Sequence, residues 1–118
     1  MGKVVLIGTP DTKGPETAYL RDRIRETGLE TLVLDSGILG EPVGIEPDVT
    51  REDVARASGR DLESIRNAGS RGAAVEIMMK GVAATCARLH REGNCHGVIS
   101  LGGAEGQAGF STEYRPTP

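Results

Sequence analysis

The stretch "VVLIGTPDTKGPET", residues 4–17, decides how this chain is read. Val4 to Ile7 is a continuous apolar run, mostly β-branched. A run that does not alternate with polar residues is buried on both faces, as strands of parallel sheets are. It stops at Gly8 and gives way to Thr9, Asp11, Thr12, Lys13 and Gly14, a concentration of polar chemistry at a strand end. Pro15 and Glu16 then suit the first turn of a helix. There the missing proline N–H costs nothing, and a carboxylate meets the positive end of the helix dipole. Tyr19, Leu20 and Ile24 are placed on one inward side of that helix, with Arg21, Asp22, Arg23 and Arg25 in water and Gly28 as its C-terminal cap.

Working outward, "TLVLDSG", residues 31–37, reads as a second buried strand, so the order strand, helix, strand predicts a right-handed crossover unit. "ILGEPVGIEPDV", residues 38–49, holds two prolines and two glycines and reads as a long loop. Thr50 with Asp53 resembles a capping box and starts a short helix over 51–58, ended by Gly59. Asp61 can cap another short helix with Leu62 and Ile65 inward, ending near Gly69. Ser70 can cap the longest helix, over 71–91, in which Val75, Met78, Met79, Val82, Cys86 and Leu89 recur at helical spacing. After Gly93, "GVISLGG", residues 97–103, is the third buried strand. The fold class is therefore α/β: a partial Rossmann-like three-layer fold with a short, three-stranded parallel sheet flanked by helices. Residues 1–106 form this unit, and 107–118, with Pro116 and Pro118, read as an irregular tail.

Composition narrows the function. Apolar residues make up 37% of 118, with no Trp and one Phe, so the core is thin and the domain leans towards marginal stability or a partner surface. A net charge of −3 argues against a nucleic-acid binder. No apolar run approaches the ~20 residues that span a bilayer, and the N-terminus lacks the apolar stretch of a signal peptide. Cys86 and Cys95 show neither CxxC nor metal-site spacing, so no metal is assigned and the expected compartment is the cytoplasm, with both thiols reduced. Cys86 reads as buried and Cys95 as an exposed loop thiol. His90 and His96 flank a helix end and read as surface residues. No nucleophile–base arrangement and no carboxylate pair stands out, which leaves an enzymatic role open.

Three strands each end in glycine and small polar residues, and in a parallel sheet those ends share one edge, where open α/β folds bind ligands. Unpaired N–H groups at a helix start, glycines that let a phosphate approach, the Lys13 ammonium and the Thr9 and Thr12 hydroxyls together suit an anion. Asp11 opposes it unless it caps the helix, holds Lys13 or reaches a Mg²⁺ or a ribose hydroxyl, and Glu105 opposes it unless it points away. A plain strand-to-helix turn remains the alternative, since neither GxxxxGK[ST] nor GxGxxG is present. Arg71 and Gly72 could bring a guanidinium to the same edge or simply stand in solvent.

"IGTPDTKGPETAYLRDRI", "LDSGILGEP", "PDVTREDVA", "GSRGAAVEIMMKGVA" and "GVISLGG" resemble the Tm-one-like ATP-binding domain family, from residue 3 to about 106. The resemblance implies a Rossmann-like subdomain binding ATP, often with Mg²⁺, within a larger unit that forms a homodimer. It implies nucleotide contacts from Gly8, Thr9, Asp11, Thr12 and Lys13 at the first strand end, Ser36 and Gly37 at the second, and Gly102 and Gly103 at the third. Members of that family continue into a second subdomain, and "AEGQAGFSTEYRPTP" replaces their Gly-, Ser- and Thr-rich run, so the chain reads as an N-terminal part. The functional expectation is a nucleotide-binding module; the alternative is a dimerisation or protein-interaction domain with no nucleotide, whose uncovered sheet edge invites another chain.

Overall fold

A computed structural model describes residues 2–101 of the protein, apart from the side chains of Pro10, Asp11 and Thr12. The elements follow the order β1 (Lys3–Gly8), α1 (Pro10–Arg25), β2 (Glu30–Asp35), α2 (Arg51–Ala57), α3 (Leu62–Arg66), α4 (Arg71–Arg91) and β3 (Gly97–Ser100). The strands form one parallel sheet in the order β2-β1-β3. Lys3 to Gly8 pair with Glu30 to Asp35 on one side, and Val4 to Ile7 with Gly97 to Ser100 on the other. The fold is α/β, a three-stranded parallel sheet flanked by helices.

Side-chain alternation sorts the sheet into two faces. Val5, Ile7 and Leu34 join Val54, Ile65, Met78, Val82 and Cys86 in one core against α2, α3 and α4. Gly8 faces Thr17 of α1, which puts Leu6 and Gly8 on the opposite face. The starts of α2, α3 and α4 are those read from the sequence: Thr50, Asp61 and Ser70 accept hydrogen bonds from the N–H groups of Asp53, Ser64 and Ala73.

Three expectations are corrected. Helix α1 begins at Pro10 rather than Pro15, and breaks at Lys13 (φ −125°, ψ 30°). Pro15 cannot donate to the carbonyl four residues back and its ring crowds that carbonyl, so one short turn precedes the main helix. Tyr19 is 67% exposed, and Thr17 takes the inward place with Leu20 and Ile24 half-buried. At 100° per residue Tyr19 lies about 200° round from Thr17 and faces away from the sheet. Cys95 is 1% exposed, because the turn from α4 folds it under β3, where its Sγ lies 3.7 Å from the Gly97 carbonyl.

The third strand is also less buried than a continuous apolar run suggests. Val98 packs against the core but Ile99, on the α1 face, is 39% exposed. The loop after β2 returns along the outer side of that strand. Asp48 Oδ2 accepts the Val33 N–H at 2.7 Å, and the Asp35 N–H donates to the Val49 carbonyl at 3.0 Å, so this edge is partly satisfied. The tail read over 107–118, together with Gly102 and Gly103, lies outside the described residues. Among the described residues no helix is long and apolar enough to cross a membrane.

Candidate functional site

The strand ends do meet. The carbonyl of Gly8 accepts the Ser36 N–H at 2.9 Å and the Ser36 hydroxyl at 3.2 Å, tying the end of β1 to that of β2. On its other side Gly8 adjoins β3: a Cβ placed on it would lie 3.5 Å from the Leu101 carbonyl oxygen and 3.1 Å from Thr17 Oγ1. The missing side chain of Gly8 therefore has a packing reason, the close approach of Thr17, whose hydroxyl is itself turned onto the Lys13 carbonyl at 2.7 Å.

Thr9 is the N-cap of α1, yet its side chain makes no capping hydrogen bond. The Lys13 N–H closes the first turn onto the Thr9 carbonyl at 2.9 Å. At the break that follows, the Lys13 side chain is exposed, with no ion pair to a described residue. Ser36 and Gly37 are close by, but their groups are engaged: Ser36 braces Gly8, and the Gly37 N–H donates to Asp35 Oδ1 at 2.8 Å. They hold the edge together. The side-chain roles read for Asp11 and Thr12, and those of Gly102 and Gly103, lie outside the described residues. Arg71 and Gly72 open α4 and are exposed.

The second glycine of the opening stretch serves the loop. A Cβ on Gly14 would fall 1.5 Å from the Val43 carbonyl oxygen, so the 38–49 loop lies directly on the helix at this point. Sequence reasoning missed what holds that loop. Arg51, 2% exposed, donates from Nε to Asp35 Oδ2 at 2.9 Å and from Nη1 to the carbonyls of Leu39 and Gly40 at 2.7 and 2.8 Å. Arg66 adds a bond from Nε to the Ile38 carbonyl at 2.6 Å. A run with two prolines and two glycines thus becomes a fixed strap, because guanidinium groups gather its carbonyls. The one available signal was Asp35, an acid at the end of a run otherwise fit for full burial, which needs a cation if buried.

A cleft of about 500 Å³ lies beside this strap, lined by Glu41, Glu46, Asp48 and Glu52 as well as by the paired Asp35 and Arg51. Arg66 also lines it, but acidic side chains outnumber the two arginines, which disfavours phosphate there. Among the described residues no group of three His, Cys, Asp or Glu side chains could hold a metal ion. His90 and His96 have structural partners: His90 Nδ1 lies 3.1 Å from the Cys95 carbonyl, and His96 Nδ1 accepts the Lys3 N–H at 2.9 Å. Burial, and then the neighbouring Cys95, push the Cys86 thiol up to about 12, so it stays protonated and is not a nucleophile at ordinary pH.

A family model described as the N-terminal domain of an uncharacterised protein family, UPF0261, matches residues 2–117. The chain belongs to this family. A UPF0261 protein of Clostridium tetani is 42% identical over 88% of this chain, and one of Brucella suis is 35% identical over the same share. A UPF0261 protein of Mesorhizobium japonicum is 33% identical over all of it. The chain spans 26%, 25% and 28% of these three relatives, about a quarter of their length. The match corrects the resemblance to a Tm-one-like ATP-binding domain: the chain is a UPF0261 N-terminal domain, and the ATP-binding assignment that came with the resemblance loses that footing. Glycine-marked strand ends and capped helices recur wherever a parallel sheet meets its helices, so such blocks discriminate poorly between families.

Proposed function

We propose that the carboxyl edge of the sheet, where β1 and β3 diverge, binds a phosphate-bearing small molecule of the nucleotide class. The strand order β2-β1-β3 carries this reading. The chain leaves β1 towards one side and enters β3 on the other, so the crevice of an open α/β sheet falls between these two strands. Gly8, Thr9 and Leu101 stand at that point, with Lys13 at the helix break above it. In this reading Lys13 supplies the charge and the start of α1 supplies N–H dipoles. Thr9 supplies a hydroxyl and Ser36 and Gly37 brace the edge; the parts expected of the Thr12 side chain, Gly102 and Gly103 lie outside the described residues. Mg²⁺, if required, arrives with the phosphates. Two buried thiols, held as thiols rather than joined in a disulfide, favour a reducing, cytoplasmic setting.

Titration calorimetry with nucleoside triphosphates, with and without Mg²⁺, tests it. Lys13→Ala is expected to weaken binding by about 1–3 kcal/mol, the range for a hydrogen bond to a charged group. Equal heats for parent and variant remove Lys13 from the site, and no heat for any phosphate-bearing ligand ends the reading. A second reading, an assembly domain that forms a homodimer or binds another protein, is favoured by the edge position of β3, which pairs only with β1 among the described residues. Sedimentation of a stable dimer indifferent to nucleotide supports it.

A further inference from the structure

Strands of parallel sheets are buried on both faces and flanked by neighbours, because their crossover helices cover them. β3 meets neither condition among the described residues. It pairs only with β1, and Ile99 is 39% exposed although Leu6, its partner in register and on the same face, is fully buried. The Leu101 N–H donates to the Ile7 carbonyl on the β1 side, so by alternation Gly97 and Ile99 also bond towards β1, and Val98 and Ser100 turn their backbone groups outward. That leaves a hydrophobic strand with a flat open edge, and no charge or proline in "GVIS" to block pairing.

We infer that β3 is an interior strand in the longer family proteins, and that its edge and its Ile99 face seat the part of the polypeptide that follows this domain. Length supports that occupant: the domain is 26% of the Clostridium tetani relative, so most of that chain lies beyond what is matched here. Handedness says which part covers which surface. α1 crosses from β1 to β2 over one face, and the α2–α4 segment crosses from β2 to β3, in the reverse direction, over the other. A further parallel strand on the β3 edge continues that second direction, so its right-handed crossover lies on the α4 face. It cannot cover Ile99. The Ile99 face therefore waits for a later element, one that returns across the sheet beside α1. The partly buried Leu20 and Ile24, on the helix that lies over this same face, supply it with further apolar surface.

Amide hydrogen exchange, read by mass spectrometry on strand peptides, tests this in the 118-residue chain and in the intact Clostridium tetani relative. The β1 strand of each protein is the internal standard. Relative to β1, protection of the strand matching β3 is expected to be at least about tenfold higher in the intact relative. Equal relative protection in the two proteins overturns the inference. So does protection of β3 in the short chain that rises across about a hundredfold increase in its concentration, which assigns the surface to a second copy. In the short chain Ile99→Lys is expected to leave the melting temperature unchanged. A clear drop means that this chain already covers the Ile99 face, which also overturns it.

Discussion

Arg51 is one of several arginines on short helices in this chain, and nothing in its spacing marks it out. Burial does: Arg56 and Arg66 stay exposed while Arg51 is closed over Asp35 and two loop carbonyls. Such a pair contributes little net stability compared with an apolar filling, since both charges lose their water. Breaking it is another matter. Arg51→Ala leaves the Asp35 carboxylate buried without its guanidinium partner, and is expected to destabilise the fold by about 3–5 kcal/mol. Denaturant unfolding measures this. Asp35→Asn combined with Arg51→Met removes both charges and is expected to recover a large part of the loss. A double variant no better than Arg51→Ala would show that the strap carbonyls, left without Nη1, carry the cost. The same scale explains why Asp35, Ser36 and Gly37 looked like ligand chemistry. Small polar residues after a buried strand serve an anion or an internal network equally well, and only partners separate the two.

Elements were legible where local chemistry decides them. Thr50, Asp61 and Ser70 each occupy the N-cap position read for them, because a side-chain acceptor next to unpaired N–H groups needs no tertiary context. The start of α1 was misplaced because two prolines compete for it: Pro10 suits a first turn as well as Pro15 does. Helix–helix approach was out of reach, since it depends on which glycine meets which backbone. Gly81 of α4 is such a place: a Cβ there would fall 2.1 Å from the Val54 carbonyl oxygen of α2. Alanine favours a helix interior by about 1 kcal/mol over glycine. A clash with backbone outweighs that gain, because α2 must move as a unit, and Gly81→Ala is expected to destabilise by about 1–3 kcal/mol. Gly72→Ala is the contrasting case. Its Cβ would meet open space, so the propensity term stands alone and stability should rise by a few tenths to about 1 kcal/mol. Thermal melts of the two variants that shift in the same direction would contradict this picture of α2 against α4.

At the scale of the molecule, the parallel sheet was readable because continuous apolar runs alternate with helices, and the edge that holds the strand ends follows from parallelism alone. Strand order, and with it the β1–β3 crevice, was not, because the sequence does not say to which side of β1 each crossover turns. The core behind that sheet makes a global prediction through one thiol. Cys86 has an ordinary value of 9.0 and is pushed up to about 12 by burial and Cys95. The folded state therefore holds its proton where the unfolded chain has released it. Stability from this group is fully present below pH 9.0 and is lost as pH rises towards 12. Within that window the unfolding free energy should fall by up to about 1.4 kcal/mol per pH unit from this site. The comparison is with Cys86→Ala, which removes this site and leaves every other group in place. That variant is less stable at pH 8 for want of core volume, but its alkaline slope should be shallower by that amount. Denaturant midpoints at pH 8, 9, 10 and 10.5 distinguish the two curves, and parallel curves would mean that Cys86 is deprotonated as readily in the fold as out of it.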